Sequence, residues 1–413
     1  MDWICGNLAD YRGLLGSGCI GVEDGFIRSV RKAPGRGRVR DYTGTGYIVS
    51  PGLIDIHVHL RGLEYSYKET EETGGRAAAA SGITLVIDMP NTLPRADNRE
   101  TVRAKLEALS RAPVDHGLFA AIPRDPRRVE ELLSEAIAGF KVYPEDLYER
   151  SGGVKGALSS GSLVVLHPEL PEAGSAVAED LVSREAHRNC GFEAAAVEVL
   201  AGMGGGRVHV THASCRSTII AAKKHGYTVD VTPHHLFYNT LTGAGCMYRV
   251  NPPLRPWHEP SWLVYMLLEG LVDAFASDHA PHALWEKSDP LYCSPGIPWL
   301  ESWPWLVYRL VSVGALDLSE FLWLASRGPA VVAGLEDYGV IREGARGNIL
   351  VYDPRAVWRF PGPAYSMARH YPSTMARMAG RPIEVLVGGE TVFIGGEVIE
   401  GVRGVNPFTW RRP

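Results

Sequence analysis

Residues 51–61 read Pro-Gly-Leu-Ile-Asp-Ile-His-Val-His-Leu-Arg, and this short apolar run brings two imidazoles, a carboxylate and a guanidinium to one place. Leu53 to Val58 is aliphatic and β-branched and is bounded by Pro51-Gly52 and Arg61-Gly62, the pattern of a strand covered on both faces. Side chains alternate along a strand, so Asp55, His57 and His59 project to one face and Ile54, Ile56 and Val58 to the other. Two imidazoles one strand pitch apart, at the end of a strand, can each turn a ring nitrogen onto one divalent ion. An isolated His-x-His would be the solvated face of an edge strand. The flanks are too apolar for that, and the remaining ligand types recur farther along the chain.

Those residues need a scaffold. Eight apolar runs precede residue 280: Leu53–Val58, Thr84–Met89, Gly117–Ile122, Gly139–Tyr143, Leu163–Leu166, Arg207–Thr211, Tyr227–Val231 and Val272–Ser277. Between them lie amphipathic or alanine-rich segments, among them Glu69–Ala80, Arg99–Ser110, Arg127–Ala138, Ser183–Met203 and Arg216–His225. Eight such alternations predict an α/β fold, a (β/α)8 barrel over residues 51–339. Residues 1–50 read as short strands with a hairpin turn at Asp24-Gly25, and residues 340–413 return to Gly-punctuated strands at Gly347–Tyr352, Glu384–Val387 and Val392–Ile394. Neither terminal segment has enough strands to stand alone, so the two are expected to form one satellite β-domain. Residues 360–382 have no clear period and are expected to be loop-rich.

The 413 residues exceed one small core, and the composition is that of a globular protein, 45% hydrophobic and 22% charged. A formal charge of −5 gives no basic excess for nucleic acid or anionic membrane. The amino terminus lacks the features of a signal peptide and no apolar stretch approaches membrane length, so a cytoplasmic location is expected. The six cysteines have no Cys-x-x-Cys spacing, which predicts buried free thiols. Arg greatly outnumbers Lys and Gln is absent, as thermal selection or a GC-rich genome would each produce.

In a barrel of this kind, function sits where the strands end. The first run ends in His57, His59 and Arg61, the second in Met89-Pro90-Asn91-Thr92, and the fourth carries Lys141. The fifth ends in His167, the sixth in His212, and the eighth in Ser277-Asp278-His279-Ala280-Pro281-His282. The DxHxHLR start, MPNT, the lysine of GFKVY, NPPLR at 251–255, SDHAPH at 277–282 and SPGIPWLE at 294–301 together resemble the dihydroorotases of the amidohydrolase superfamily.

The resemblance implies two divalent ions, with zinc expected. His57, His59 and Asp278 would hold the first and His167 and His212 the second, with Lys141 bridging them as an N6-carboxylated lysine. It implies that Asp278 moves the proton of a bridging hydroxide, and that Arg61, Asn91 and His282 grip a substrate carboxylate. Backbone groups near Leu254 and Gly296 would complete the pocket. The implied reaction is the interconversion of L-dihydroorotate and N-carbamoyl-L-aspartate, with a homo-oligomer or a complex with aspartate transcarbamoylase as the partner state. A hydantoinase or allantoinase would share the metals but has no use for a guanidinium aimed at a carboxylate. A non-catalytic scaffold would show broken ligands, and none is broken.

Other residues stay open at this level. Lys141 between Phe140, Val142 and Tyr143 could instead snorkel to solvent. His209 lies on the strand face opposite His212 and reads as structural. His234 and His235 read as site-wall residues. Arg255 could contact substrate or lie on the surface. Pro168-Glu169-Leu170 and Trp299 depart from the family pattern, Trp299 either narrowing the pocket or filling a gap behind it.

Overall fold

Strands buried on both faces need helices on one side and a filled interior on the other, and the eight apolar runs obtain both by pairing in chain order. The computed structural model describes residues 1–174, 180–242, 245–289, 291–372 and 377–410. The barrel strands are β6 (Leu53–Val58), β7 (Ile83–Asp88), β8 (Asp115–Ala121), β9 (Gly139–Val142), β10 (Leu163–Leu166), β11 (Arg207–Val210), β12 (Thr228–Val231) and β13 (Ala274–Phe275). All neighbours are parallel and in sequential order. A bridge between Val58 and His279, with the His59 N–H donating to the His279 carbonyl at 2.8 Å, brings the first strand against the chain that follows the last. The expected barrel is present.

Among the described residues the second sheet has nine strands. Its first five, β1 (Asp2–Asp10), β2 (Gly13–Glu23), β3 (Phe26–Arg31), β4 (Arg38–Asp41) and β5 (Ile48–Pro51), come from the amino-terminal segment. The others are β14 (Ile349–Arg359), β15 (Arg377–Val387), β16 (Glu390–Ile394) and β17 (Glu397–Val398). β5 pairs antiparallel with β14, Pro51 opposite Ile349, and this seam makes one satellite sheet of the two ends of the chain. Its own core gathers Ile4, Ile20, Ile27, Val49, Ile349 and Leu386.

Three expectations need correction. Residues 377–382 belong to β15 and are not loop. The β14–β15 ladder slips between Asp353 and Val357, and Gly380 takes φ 73° where a Cβ would lie 2.7 Å from the Trp305 ring, so the bulge hides the two-residue period. The segment Ser183–Met203 is two helices, Leu181–His187 and Cys190–Met203, because Asn189 caps the second by accepting from the Gly191 N–H at 2.9 Å. The cysteines are paired, as Cys5–Cys19, Cys190–Cys215 and Cys246–Cys293. Cys5 and Cys19 face each other in the β1–β2 register, a tertiary fact to which sequence spacing is blind. Among the described residues no helix is long and apolar enough to cross a membrane.

Candidate metal centre and anion pocket

The candidate metal ligands stand at or just beyond the carboxyl ends of barrel strands, where the backbone must turn sharply. Arg61, His212 and Asp278 all have positive φ, 55°, 40° and 49°, although none is glycine. Such conformations cost about 1 kcal/mol or more each and persist where the surrounding packing enforces them. His57, His59, Arg61, Asn91, Lys141, His167, His212, Asp278, His282 and Gly296 line one cavity of about 470 Å³. Leu254 does not join them: it is packed in the main core.

The hydrogen-bond network fixes the histidine tautomers. The Thr211 hydroxyl donates to Asp230 Oδ2 at 2.8 Å, so its oxygen accepts from His57 Nδ1–H and leaves the lone pair of His57 on Nε2. His59 Nδ1–H donates to Asn91 Oδ1 at 2.7 Å, which likewise leaves a lone pair on its Nε2. Both Nε2 atoms face Asp278 Oδ1, at 3.4 and 3.1 Å. Burial holds both rings below the usual imidazole pKa, most strongly His57, so protonation does not relieve the contact. Two lone pairs and a carboxylate turned on one another are the donor set of a cation, and their ligand atoms lie within 4.8 Å of one another.

The second set lies beside the first. The His212 ring centroid is 5.0 Å from that of His57 and 4.5 Å from that of His167. His167 Nε2–H donates to Glu169 Oε2 at 2.7 Å, and Glu169 also pairs with Arg188, so the free electron pair of His167 sits on Nδ1. His212 Nδ1 and Lys141 Nζ are buried without a hydrogen-bond partner among the described residues. Burial pulls the Lys141 amine down to about 7, against the weaker opposing pull of Asp230 and Asp278. A buried amine that gives up its proton this readily among imidazoles fits a site that takes up charge from outside. His167, His212 and Lys141 line the cavity but fall outside the tight group of His57, His59 and Asp278.

The same cavity offers a place for an anion. The Arg61 guanidinium is buried, donates through Nε to the Pro281 carbonyl at 3.2 Å and through Nη2 to His282 Nε2 at 3.2 Å, and forms no salt bridge among the described residues. Burial and the positive charges of Arg61, Lys68 and Lys287 keep His282 neutral.

Residues outside the expected set also matter. Glu169, read from sequence only as a departure, fixes the tautomer of His167. Thr211 and Asp230 back His57, and Asp230 also accepts from the His212 backbone at 2.6 Å. Asn251, the first residue of NPPLR, lines the cavity. Glu169, Thr211 and Asp230 belong to no motif that sequence reading used, because they act from behind the site.

The open readings resolve through burial. His209 bonds Asp230 and Thr228, at 2.8 and 2.9 Å, and is structural. His234 and His235 lie behind the cavity wall, His235 held by the Pro252 carbonyl at 3.1 Å. Arg255 is buried against Glu193, Glu185 and Ser214, so it meets neither cavity nor surface. Trp299 is fully buried beside His234 and Tyr371 and fills space behind the site.

With this geometry in view, the comparisons with other proteins are consistent. A model of the amidohydrolase family matches residues 48–392. A dihydroorotase from Aeropyrum pernix is 43% identical over 339 residues, 78% of this chain and 79% of that protein. One from Sulfolobus acidocaldarius is 32% identical over 411 residues, 98% of both chains. The fold matches an L-hydantoinase (dihydropyrimidinase) from Arthrobacter aurescens with a TM-score of 0.88 at 22% identity, covering 96% of this chain and 97% of that one.

Proposed function

Since the chain belongs to the amidohydrolase family, we propose that it is a dihydroorotase, interconverting L-dihydroorotate and N-carbamoyl-L-aspartate in pyrimidine synthesis. The observation that carries this reading is a buried guanidinium that forms no salt bridge among the described residues, lining the same cavity as two imidazole lone pairs directed at Asp278.

In this reading His57, His59 and Asp278 hold one divalent ion and His167 and His212 a second, zinc in both cases. Lys141 would be a ligand as well once its amine had added carbon dioxide and released a proton to solvent, since an ammonium cannot be a ligand and a carbamate offers two oxygens. The ions, when bound, supply Lewis acidity and a water acidic enough to ionise near neutrality. Arg61, with Asn91 and His282, holds the ring carboxylate by charge-assisted hydrogen bonds and so presents the ring amide to the ligand cluster. Asp278 accepts the proton of the attacking water at a carboxylate oxygen. As the ring C–N bond breaks, the same oxygen returns that proton to the departing nitrogen. Cyclisation reverses these steps.

The proposal extends to a cytoplasmic enzyme that forms a homo-oligomer or a complex with aspartate transcarbamoylase. It divides the chain into a barrel over 51–339 and a satellite β-domain from 1–50 and 340–413. A hydantoinase reading has the fold in its favour, but Arg61 gives it no role for a buried cation.

The test compares dihydroorotate, hydantoin and allantoin as substrates of the metal-loaded protein. Dihydroorotate is expected to be preferred, and Arg61→Ala is expected to lower kcat/KM for it by roughly ten- to a hundredfold, about 1.5–3 kcal/mol, with metal content unchanged. Hydrolysis of an uncharged cyclic amide should scarcely change. An equal loss on both kinds of substrate would remove the case for a carboxylate-bearing substrate.

A further inference from the structure

Lys105 is 0% exposed on the inner face of the helix Arg99–Leu109, where Val102 and Leu109 are its buried neighbours and a hydrophobic residue would be the ordinary choice. Its ammonium donates to Glu71 Oε1 at 2.5 Å and to the backbone carbonyl of Arg61 at 2.8 Å, and it forms an ion pair with Asp88 Oδ2 at 2.8 Å.

That carbonyl belongs to the most contorted stretch of the barrel rim. Arg61, Gly62 and Leu63 have φ of 55°, 60° and 48°, so two residues with side chains occupy the left-handed region in a row of three. Gly62 has no room to be anything else, because a Cβ there would lie 1.9 Å from Glu71 Oε1. Asp88 grips the preceding residue as well, its Oδ1 accepting from the Leu60 N–H at 2.8 Å. Lys105, Glu71 and Asp88 therefore hold the 60–62 peptides from below, while the Arg61 side chain reaches Pro281 and His282 above.

We propose that Lys105 is a positioning residue for anion recognition: by fixing the Arg61 carbonyl it keeps Arg61 in the left-handed conformation that aims its guanidinium into the cavity. The carboxylate-bearing substrate rests on the function proposed above; the backbone role does not. Without the N–H bond from Lys105, the carbonyl of Arg61 is an unpaired buried acceptor, and the peptide is free to turn to an ordinary φ, which carries the guanidinium away from His282. A lysine that served only as a core ion pair would stabilise the fold without favouring one substrate over another.

Two variants separate these roles. Lys105→Met leaves two buried carboxylates uncompensated, whereas Lys105→Met with Glu71→Gln keeps the net charge of the triad and guards against simple misfolding. In the double variant KM for dihydroorotate is expected to rise about tenfold with kcat and bound metal nearly unchanged, while hydantoin hydrolysis stays at the parental rate. Added to Arg61→Ala, the same changes should cause no further loss. A crystal structure of the double variant should show Arg61 with negative φ and its guanidinium away from His282. Arg61 unmoved in that structure, or equal losses on both substrates, would overturn the proposal. If the parental protein turns over no dihydroorotate, the proposed function fails, and the conformation of Arg61 in the variant still decides the role of Lys105.

Discussion

The barrel carries buried charge at two places that answer it in opposite ways. Around Asp115, at the start of β8, every charge is paired inside the chain. Arg346 donates to both its oxygens at 3.0 and 3.2 Å, Asn348 at 2.8 Å, the Tyr338 hydroxyl at 2.9 Å and the Val405 N–H at 2.8 Å. This node ties barrel, satellite sheet and carboxyl-terminal tail together. At the strand ends, Lys141 and a ring nitrogen of His212 have no hydrogen-bond partner among the described residues, two imidazole lone pairs face Asp278, and Arg61 forms no salt bridge among them. A buried polar group without a partner costs about 1–3 kcal/mol, so such a cluster is sustained by what it binds. A closed network holds the fold, and an open one anticipates ligands.

Substituting both clusters would break this contrast if it is wrong. Lys141→Ala should reduce turnover by about four orders of magnitude, roughly 5 kcal/mol of transition-state stabilisation, with loss of bound metal. The metal-free variant should melt no lower than the parent, because the removed amine is buried and makes no hydrogen bond among the described residues. Retained turnover and metal would exclude Lys141 from the centre. Asp115→Ala should do the reverse. Removing it strands the buried Arg346 and should cost about 3–5 kcal/mol in denaturant unfolding, with kcat of the folded protein within about twofold of the parent. A large fall in kcat without loss of stability would mean that the node serves the site.

Glu169 stands between the two cases and sharpens the comparison, being a fully paired carboxylate inside the open cluster. Burial alone would raise its pKa, but the hydrogen bond from His167 and the charge of Arg188 pull it down to about 2 from 4.5. A depressed carboxylate stabilises the fold above its unfolded pKa, so this contribution, about 3 kcal/mol, is present above pH 4.5 and lost as pH falls toward 2. Unfolding of the metal-free protein followed across that window should lose this increment, and Glu169→Gln should flatten the profile. An unchanged profile in the variant would place the acid sensitivity elsewhere.

The sequence by itself determined the elements whose signal is local. The eight apolar runs reappear as β6–β13 within a few residues, and the Asp24-Gly25 turn joins β2 to β3, because strand burial and turn chemistry are written in adjacent residues. His57, His59, Asn91, Lys141, His167, His212, Asp278 and His282 were legible for the same reason: each follows or ends a readable strand, and the barrel topology gathers such ends. Only the tertiary structure decided the partners. Glu169 became the anchor of His167, and Asp230 the support of His57 and His212, across separations at which no periodicity survives. Leu254 went into the core, the cysteines found one another across 14, 25 and 47 residues, and Lys105 came to lie beneath Arg61. Pairing depends on distance in space, and the chain states only distance along itself.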